Sequence, residues 1–486
     1  MPSHKSGSSH ESGSPRSAGS SPGAQEPRTP QYSGSRLRAY LSPRSWLLPL
    51  FVLLLLGGSG TALYLGGLGN PADHLKQLPV AVVNRDQGTQ TPTGQENFGQ
   101  AITDTMVENF GKTDQIDLQP LSWEDAQSQL RAGRVFAAVV VEPDFSASAA
   151  GLVTASLTDA EASRPQISLY TNPLASPLAS ELAAGAVKPA LTQASTSLGD
   201  QLQDSASQAQ QAAAEAQGQE LAQLGVPAEA QGALAPTIDG TSMALLRDPV
   251  QITQSEFQKP PDGAALGMSA FFYSVLLMVV GLSGSVTLHF LLDSRSGVLP
   301  VELGTRYVLG PRLLPGRWTT FLVKWGTASI AALPTAGLMM WTAHAVGMPI
   351  PHGGWFFFSS WLSIVTVAAV AFALVGIFGS AGMILSLIYV VFMGLPAATG
   401  VLPLQTLPGF FVFIARGEPL YQMTIANKAI LYYDAEASAG LQAGLIGMGI
   451  IILISVVAAL VFALLYDRTR GVRSAAADVE KAAART

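Results

Sequence analysis

The chain has 486 residues, of which 48% are hydrophobic and only 12% are charged. Soluble domains carry about 25% charged residues, so this composition favours a membrane protein. The formal net charge is −6 and cysteine is absent, which excludes disulfide bonds and thiolate metal sites, and residues 70–265 are too acidic for a nucleic-acid partner.

The chain begins with a polar tail that leads into an apolar segment. Residues 1–45 are rich in Ser, Gly and Pro and offer little apolar surface to bury, so we predict a disordered cytoplasmic tail. Residues 46–68 carry no charged side chain and are long enough to cross a bilayer as a helix. Because the tail is long and no small-residue cleavage motif follows, we predict an uncleaved transmembrane helix rather than a signal peptide.

Residues 70–265 alternate between strand and helix patterns, which predicts an α/β domain. Short apolar runs bounded by turn residues indicate strands at 78–83, 135–141 and 167–170. Helical spacing of apolar residues, with Ser122 as a cap, indicates helices at 98–110 and 123–130. The Ala-, Gln- and Ser-rich segment 175–224 predicts a long exposed helix or helical hairpin, the helical arm of this domain.

Five further apolar segments each predict a transmembrane helix. Together with the first helix they give a bundle of six, and basic residues concentrate in the N-terminal flank, the loop 293–319 and the tail 467–486, all on one side. The positive-inside rule places that side, and both termini, in the cytoplasm. The predicted fold is therefore an α-helical protein of the cell (plasma) membrane with six transmembrane helices and an extracytoplasmic α/β domain with a helical arm inserted between helices 1 and 2. The five segments are 267–292, 321–346, 355–378, 381–402 and 441–466.

Three motifs in the acidic region occur in a recognisable order: LPVAVVNRDQGT, then VFAAVVVEPDFSASAAGL, then ISLYTN. They resemble the extracytoplasmic domain of the YhgE/Pip (phage infection protein) family, which is related to ABC-2-type permeases. Apart from this resemblance, the residue types of each motif are typical of a turn that ends a strand or of the start of a helix. We therefore expect these residues to be structural. The positions concerned are Asn84, Asp86, Gly88, Pro143, Asp144, Phe145, Tyr170 and Asn172.

The resemblance implies a transport mechanism with a separate motor. In ABC-2-type permeases an ATPase docks on the cytoplasmic loop between spans two and three, so the matching loop here is the candidate coupling surface, and a homo- or heterodimer is expected. The alternative is that its arginines serve only to orient the bundle. The charged candidates are Glu302, Arg306, Arg312 and Arg317.

No residue pattern indicates catalysis. The chain lacks a P-loop and any catalytic constellation, so we expect neither enzyme activity nor a cofactor or metal. The predicted spans contain no Asp or Glu, and Lys324 is expected to snorkel at a helix end. Because proton-coupled carriers usually hold ionisable residues inside the bundle, this pattern favours an external motor over a proton relay.

Two functions remain open from the sequence. The first is a permease that exports a hydrophobic or amphiphilic substrate, with membrane lipid around it and a separate ABC ATPase as partner. The second is a cell-surface receptor or a scaffold of an envelope or secretion machine, which the large acidic region would serve. The segment 409–433 further predicts a re-entrant or interfacial hairpin at the outer leaflet.

Overall fold

The computed structural model describes residues 47, 50–52, 54–58, 61–62, 74–91, 94–158, 162–224, 240–304, 306–310, 316–400 and 402–470. The described residues between 47 and 62 are helical, as the first predicted span requires. The remainder of that span, the predicted tail 1–45 and residues 471–486 lie outside the described residues. The chain divides into two units, Met1–Gly57 and Gly58–Thr486, and the second unit contains the sheet and the helices that surround it.

A mixed β-sheet organises the first part of this unit, here called the sheet region (residues 74–256). β1 and β5 are buried at nearly every position, which suits strands covered on both faces. Five strands form one sheet in the order β4-β1-β5-β6-β7, and β2 pairs with β3 as a separate ribbon. β4 and β5 run parallel to β1, β6 is antiparallel to β5, and β7 is parallel to β6. The strands are β1 (Leu78–Asn84), β2 (Thr89–Thr91), β3 (Gly94–Glu96), β4 (Ile116–Pro120), β5 (Ala137–Val141), β6 (Gln166–Thr171) and β7 (Gln251–Glu256).

Helices cover both faces of the sheet. One apolar core lies between the sheet and the first, third and fourth helices, and a smaller core lies under the second. The fourth helix is the predicted arm: it continues without a break for 47 residues, and its last buried residue is Ala206. The helices are α1 (Phe98–Gly111), α2 (Trp123–Arg131), α3 (Phe145–Thr158), α4 (Pro177–Gln223) and α5 (Gly240–Arg247).

The second part of the unit, here called the bundle, consists of apolar helices. Three of them are long and apolar enough to cross a membrane, namely α6, α8 and α12. The helices are α6 (Ser269–Arg295), α7 (Arg317–Ala345), α8 (Gly353–Phe378), α9 (Ala381–Ala397, with a π-helical turn over Ile388–Met393), α10 (Gly409–Ala415), α11 (Pro419–Tyr432) and α12 (Leu441–Arg470). The short strands β8 (Val301–Leu303) and β9 (Arg306–Val308) form a ribbon between α6 and α7.

Most predicted elements are present with shifted ends. α6 runs three residues beyond its predicted span and α7 begins four residues before its own, so the charged ends of both helices become part of the bundle. Ser122 caps α2 through its side chain, as predicted. The sequence reading missed β4 and β7, because these polar edge strands carry no continuous apolar run.

Candidate functional site

The residues of the first two motifs meet in one buried hydrogen-bond network around Asp86. Its Oδ1 accepts the backbone amides of Ser146 at 3.0 Å and Gly88 at 3.2 Å. Its Oδ2 accepts the Ser146 hydroxyl at 2.5 Å and the Gly99 amide at 3.1 Å. The Asn84 side chain in turn accepts the Asp86 amide at 3.0 Å. Both carboxylate oxygens are thus occupied by groups that start α1 and α3, which favours a structural role.

Backbone geometry explains the glycine and proline of these motifs. Gly88 has φ +71°, in the left-handed region that glycine adopts without strain. The Pro143 carbonyl accepts the Gln87 amide at 3.1 Å and thereby joins the turn after β1 to the start of α3. Phe145 is fully buried in the main core of the sheet region. Asp144 accepts the Ser148 amide through its carbonyl at 2.8 Å, in the first turn of the helix.

The third motif anchors the other end of the sheet. Tyr170 packs against Trp123 and Phe257, with ring centroids 5.5 Å and 6.4 Å away. Asn172 is fully buried and donates from Nδ2 to the carbonyls of Leu130 at 2.8 Å and Val135 at 3.1 Å. These bonds connect the end of β6 with the last turn of α2 and with the loop that follows it.

The four residues of the candidate coupling loop lie in different surroundings. Glu302 in β8 and Arg306 in β9 are exposed on the short ribbon. Arg317, the first residue of α7, instead pairs with Asp467 of α12 at 2.5 Å and lies over the Tyr466 ring. Arg312 lies outside the described residues. The structure therefore separates an exposed charged ribbon from an arginine that joins two helices.

An ion cluster (His289, Asp293 and Lys324) lies buried between α6 and α7. The Lys324 ammonium contacts Asp293 Oδ1 at 2.5 Å and His289 Nδ1 at 2.9 Å. His289 Nε2 is 3.5 Å from Asp293 Oδ2, one helical turn away. The prediction that Lys324 snorkels to the interface is wrong, since the side chain is 8% exposed and paired. The predicted spans contain no Asp or Glu, but the bundle nevertheless buries a carboxylate. The reason is that α6 extends past its predicted end and buries Asp293.

A helical hairpin, α10 and α11, belongs to the bundle, and its second helix packs in the interior. The Asn427 side chain of α11 donates to the Ser274 hydroxyl of α6 at 2.8 Å and accepts the Ser359 hydroxyl of α8 at 2.9 Å. On the side of α11 that faces α12, Gly444 and Gly447 leave room for the backbone and the side chain of Gln422. The second helix of the hairpin, α11, is therefore an internal element held by three neighbouring helices, whereas α10 exposes Phe410 and Phe413.

The turn of this hairpin carries a buried acid, Glu418. The side chain is 0% exposed, its Oε2 accepts the Tyr421 amide at 2.9 Å, and its Oε1 has no hydrogen-bond partner. It faces Gly394 of α9, and the Tyr389 hydroxyl of the π-helical turn donates to the Gly417 carbonyl. Burial raises the pKa of the Glu418 carboxyl to about 8. Buried acids with raised pKa values are typical of functional sites.

The other end of the hairpin contacts the sheet region. Lys428 donates its ammonium to the Ala175 carbonyl, just before α4. Tyr433 packs its hydroxyl against Gly133, where a Cβ would come within 2.5 Å of the phenol oxygen. The Lys76 amide donates to the Gln405 carbonyl at 2.8 Å in the segment that leads into α10. One element thus contacts both the bundle and the sheet region.

Comparison with known families assigns the chain to one of them. A family model described as "Protein of unknown function (DUF3533)" matches residues 49–456. The chain belongs to the DUF3533 family. No curated protein and no solved structure matches it. The DUF3533 match covers the sheet region and nearly all of the bundle, so the two parts belong to one family unit, and the family is membrane-associated.

Sequence reasoning missed the buried charges of this DUF3533 protein for a definable reason. Asp293 and Glu418 fall just outside the apolar runs, and only packing places them in the interior. The spacing of His289 and Asp293, four residues apart on one helix face, was the available signal. Among the described residues, no group of three His, Asp or Glu side chains is arranged to hold a metal ion.

Proposed function

We propose that the chain is the membrane subunit of a permease that exports a hydrophobic or amphiphilic substrate. The observation that carries this proposal is the discontinuous hairpin inside the bundle, whose turn holds Glu418. Discontinuous helices with polar turns inside an apolar bundle are typical of transporters, because such backbone is tolerated in a membrane only within protein or beside a cavity. A protein that is only anchored in a membrane does not require a discontinuous hairpin of this kind.

The proposed topology has six spans, with both termini in the cytoplasm and the sheet region outside the plasma membrane. The three long apolar helices support part of this bundle, and the basic flanks support its orientation. The resemblance of the sheet-region motifs to YhgE/Pip proteins supports the further step to an ABC-2-type permease. On this proposal the bundle functions as a homo- or heterodimer.

The proposed motor is a separate ATPase, bound at the β8–β9 ribbon. Glu302 and Arg306 are exposed there and free of any role in helix packing. Arg317 joins α7 to α12 through Asp467, so we assign it to the packing of these helices and not to the docking surface. A movement of the ribbon would be transmitted to the ion cluster, because the ribbon connects α6 with α7 and these two helices hold the cluster.

Co-purification tests this proposal. The full chain, solubilised under mild conditions, should retain an ATPase subunit, and R306E should reduce that recovery at least about tenfold, because one charge reversal in an interface costs more than about 1.4 kcal/mol. R468E is the matched control, since Arg468 is an exposed arginine at the end of α12 outside the ribbon. Recovery of no ATPase, together with normal export in a deletion strain, would refute the permease.

The length of α4 favours a second function, a receptor or a scaffold for an envelope machine. In the part of the chain that the structure describes, no residue of α4 beyond Ala206 is buried, so its last four turns offer a long surface for a partner. In this case, deletion of residues 84–250 abolishes function, whereas charge reversal in the loop 293–319 has little effect. The permease predicts a strong effect of the charge reversal.

A further inference from the structure

A pocket lies where the sheet region meets the hairpin. It has about 190 Å³ of space for water-sized molecules, enough for several waters or one phosphate-sized group. The sheet region lines it with Gly133 and Ala175, and the hairpin lines it with Tyr421, Lys428 and Tyr433. We call it the junction pocket.

The charge of this pocket is uncompensated. Lys428 is the cation in its lining, and the described lining contains no Asp or Glu. The ammonium donates to the Ala175 carbonyl, which supplies a dipole but no negative charge. Burial lowers the pKa of Lys428 to about 8, so the surroundings disfavour the charged form. A bound anion would supply the missing opposite charge.

A second polar group in the pocket also lacks a partner. Tyr433 is 7% exposed, its hydroxyl is buried, and that hydroxyl makes no hydrogen bond. Leaving a buried phenol without a partner is unfavourable, so it normally persists only where something bonds to it. Gly133, at φ +65°, lacks the Cβ that would otherwise collide with this hydroxyl.

We propose that the junction pocket binds an oxyanion, a phosphate or phosphate-like headgroup, held by the Lys428 ammonium and the Tyr433 hydroxyl. Both groups donate hydrogen bonds, and oxyanions accept them, so charge and hydrogen-bonding capacity match. The hairpin then connects a ligand at one end with the buried Glu418 turn at the other. The additional step, that the anion is the headgroup of an exported amphiphile, rests on the proposed function; anion binding itself does not.

Thermal unfolding of the full chain in dodecyl maltoside micelles, which contain no phosphate, tests the site. One arm adds phosphatidylglycerol to the micelles, and the other adds inorganic phosphate, with chloride at equal ionic strength as reference. A rise in the unfolding midpoint in either arm supports the site, and the arm that responds identifies a lipid headgroup or a free anion as its source. No rise in either arm overturns it.

Two variants separate ligation from packing. K428M should abolish the anion-induced shift, whereas K188Q, a change at an exposed lysine of α4, should leave it intact. Y433F removes only the unpartnered hydroxyl. If Tyr433 is purely structural, this variant should leave the unfolding midpoint unchanged or slightly higher, with an unchanged anion-induced shift. The proposal requires Y433F to reduce that shift, and an unchanged shift in either K428M or Y433F overturns it.

The pH dependence provides an additional readout. Tyr421 and Tyr433 are the other titratable side chains in the described lining of the pocket, and burial raises the pKa of each above that of a free tyrosine. Lys428 therefore loses its charge first as the pH rises, and the anion-induced shift should be present at pH 7 and lost above about pH 9. A shift that persists at high pH contradicts the role of Lys428. Because no ATPase is needed, a failed co-purification leaves this result unaffected.

Discussion

At the scale of single residues, Glu418 makes the stability of the fold depend on pH. Its pKa rises from 4.5 to about 8 because the carboxyl is buried, so the folded chain binds this proton more tightly than the unfolded chain does. Stability is therefore complete below about pH 4.5 and is lost progressively up to about pH 8. We expect the unfolding midpoint to fall by roughly 5 °C across this range.

The variant E418Q mimics the neutral acid and should remove this pH dependence while keeping the bond to the Tyr421 amide. E436Q, at an exposed acid between α11 and α12, is the control and should retain the full dependence. If wild type and E418Q unfold with parallel pH profiles, Glu418 does not titrate in this range.

The ion cluster gives a second residue-scale prediction. D293N leaves the buried Lys324 charge without its closest partner and should destabilise the protein by about 3 kcal/mol, because an uncompensated buried charge is costly. D293N combined with K324M removes both charges and should recover more than half of that loss. Thermal unfolding of the two single variants and the double variant measures the coupling, and simple additivity would show that the pair contributes nothing.

At the scale of elements, the hairpin is held by close approach to α9. A Cβ at Gly394 would lie 2.5 Å from Glu418 Oε1, and the acid is enclosed by packing, so G394A should displace the hairpin turn. We expect A415C, at a buried position of α10, to react with a maleimide several-fold faster in the G394A background. G376A is the control, since a Cβ there meets open space. Equal labelling in all backgrounds would show that the close approach is not required.

At the scale of the whole molecule, the absence of cysteine allows the topology to be mapped with single substitutions. We expect an impermeant maleimide added to intact cells to label Q90C and Q217C in the sheet region and to leave L309C, at an exposed residue beside the β8–β9 ribbon, unlabelled. Permeabilised cells supply the control, since all three positions should then react. The reverse pattern would invert the proposed orientation, with the ATPase surface outside the cell.

The sequence by itself determined the elements with one dominant local signal. Uninterrupted apolar runs specified β1 and β5, which are covered on both faces, and the long helices, whose length and apolar composition suit a membrane span. Capping chemistry placed Ser122 at the start of α2, and the motif turns around Asp86 were recognisable from their Asn, Asp and Gly residues. Each of these features depends on neighbours along the chain.

Only the tertiary structure decided which polar groups are buried together. Asp293 and Lys324 are separated by thirty-one positions, and Lys428 and Ala175 by far more, so no local pattern relates them. Glu418 has the sequence context of a surface turn and becomes buried only because the hairpin inserts beside Gly394. The physical reason is that the pKa and the cost of a charge depend on the whole surrounding packing, which long-range contacts create and a window of sequence does not contain.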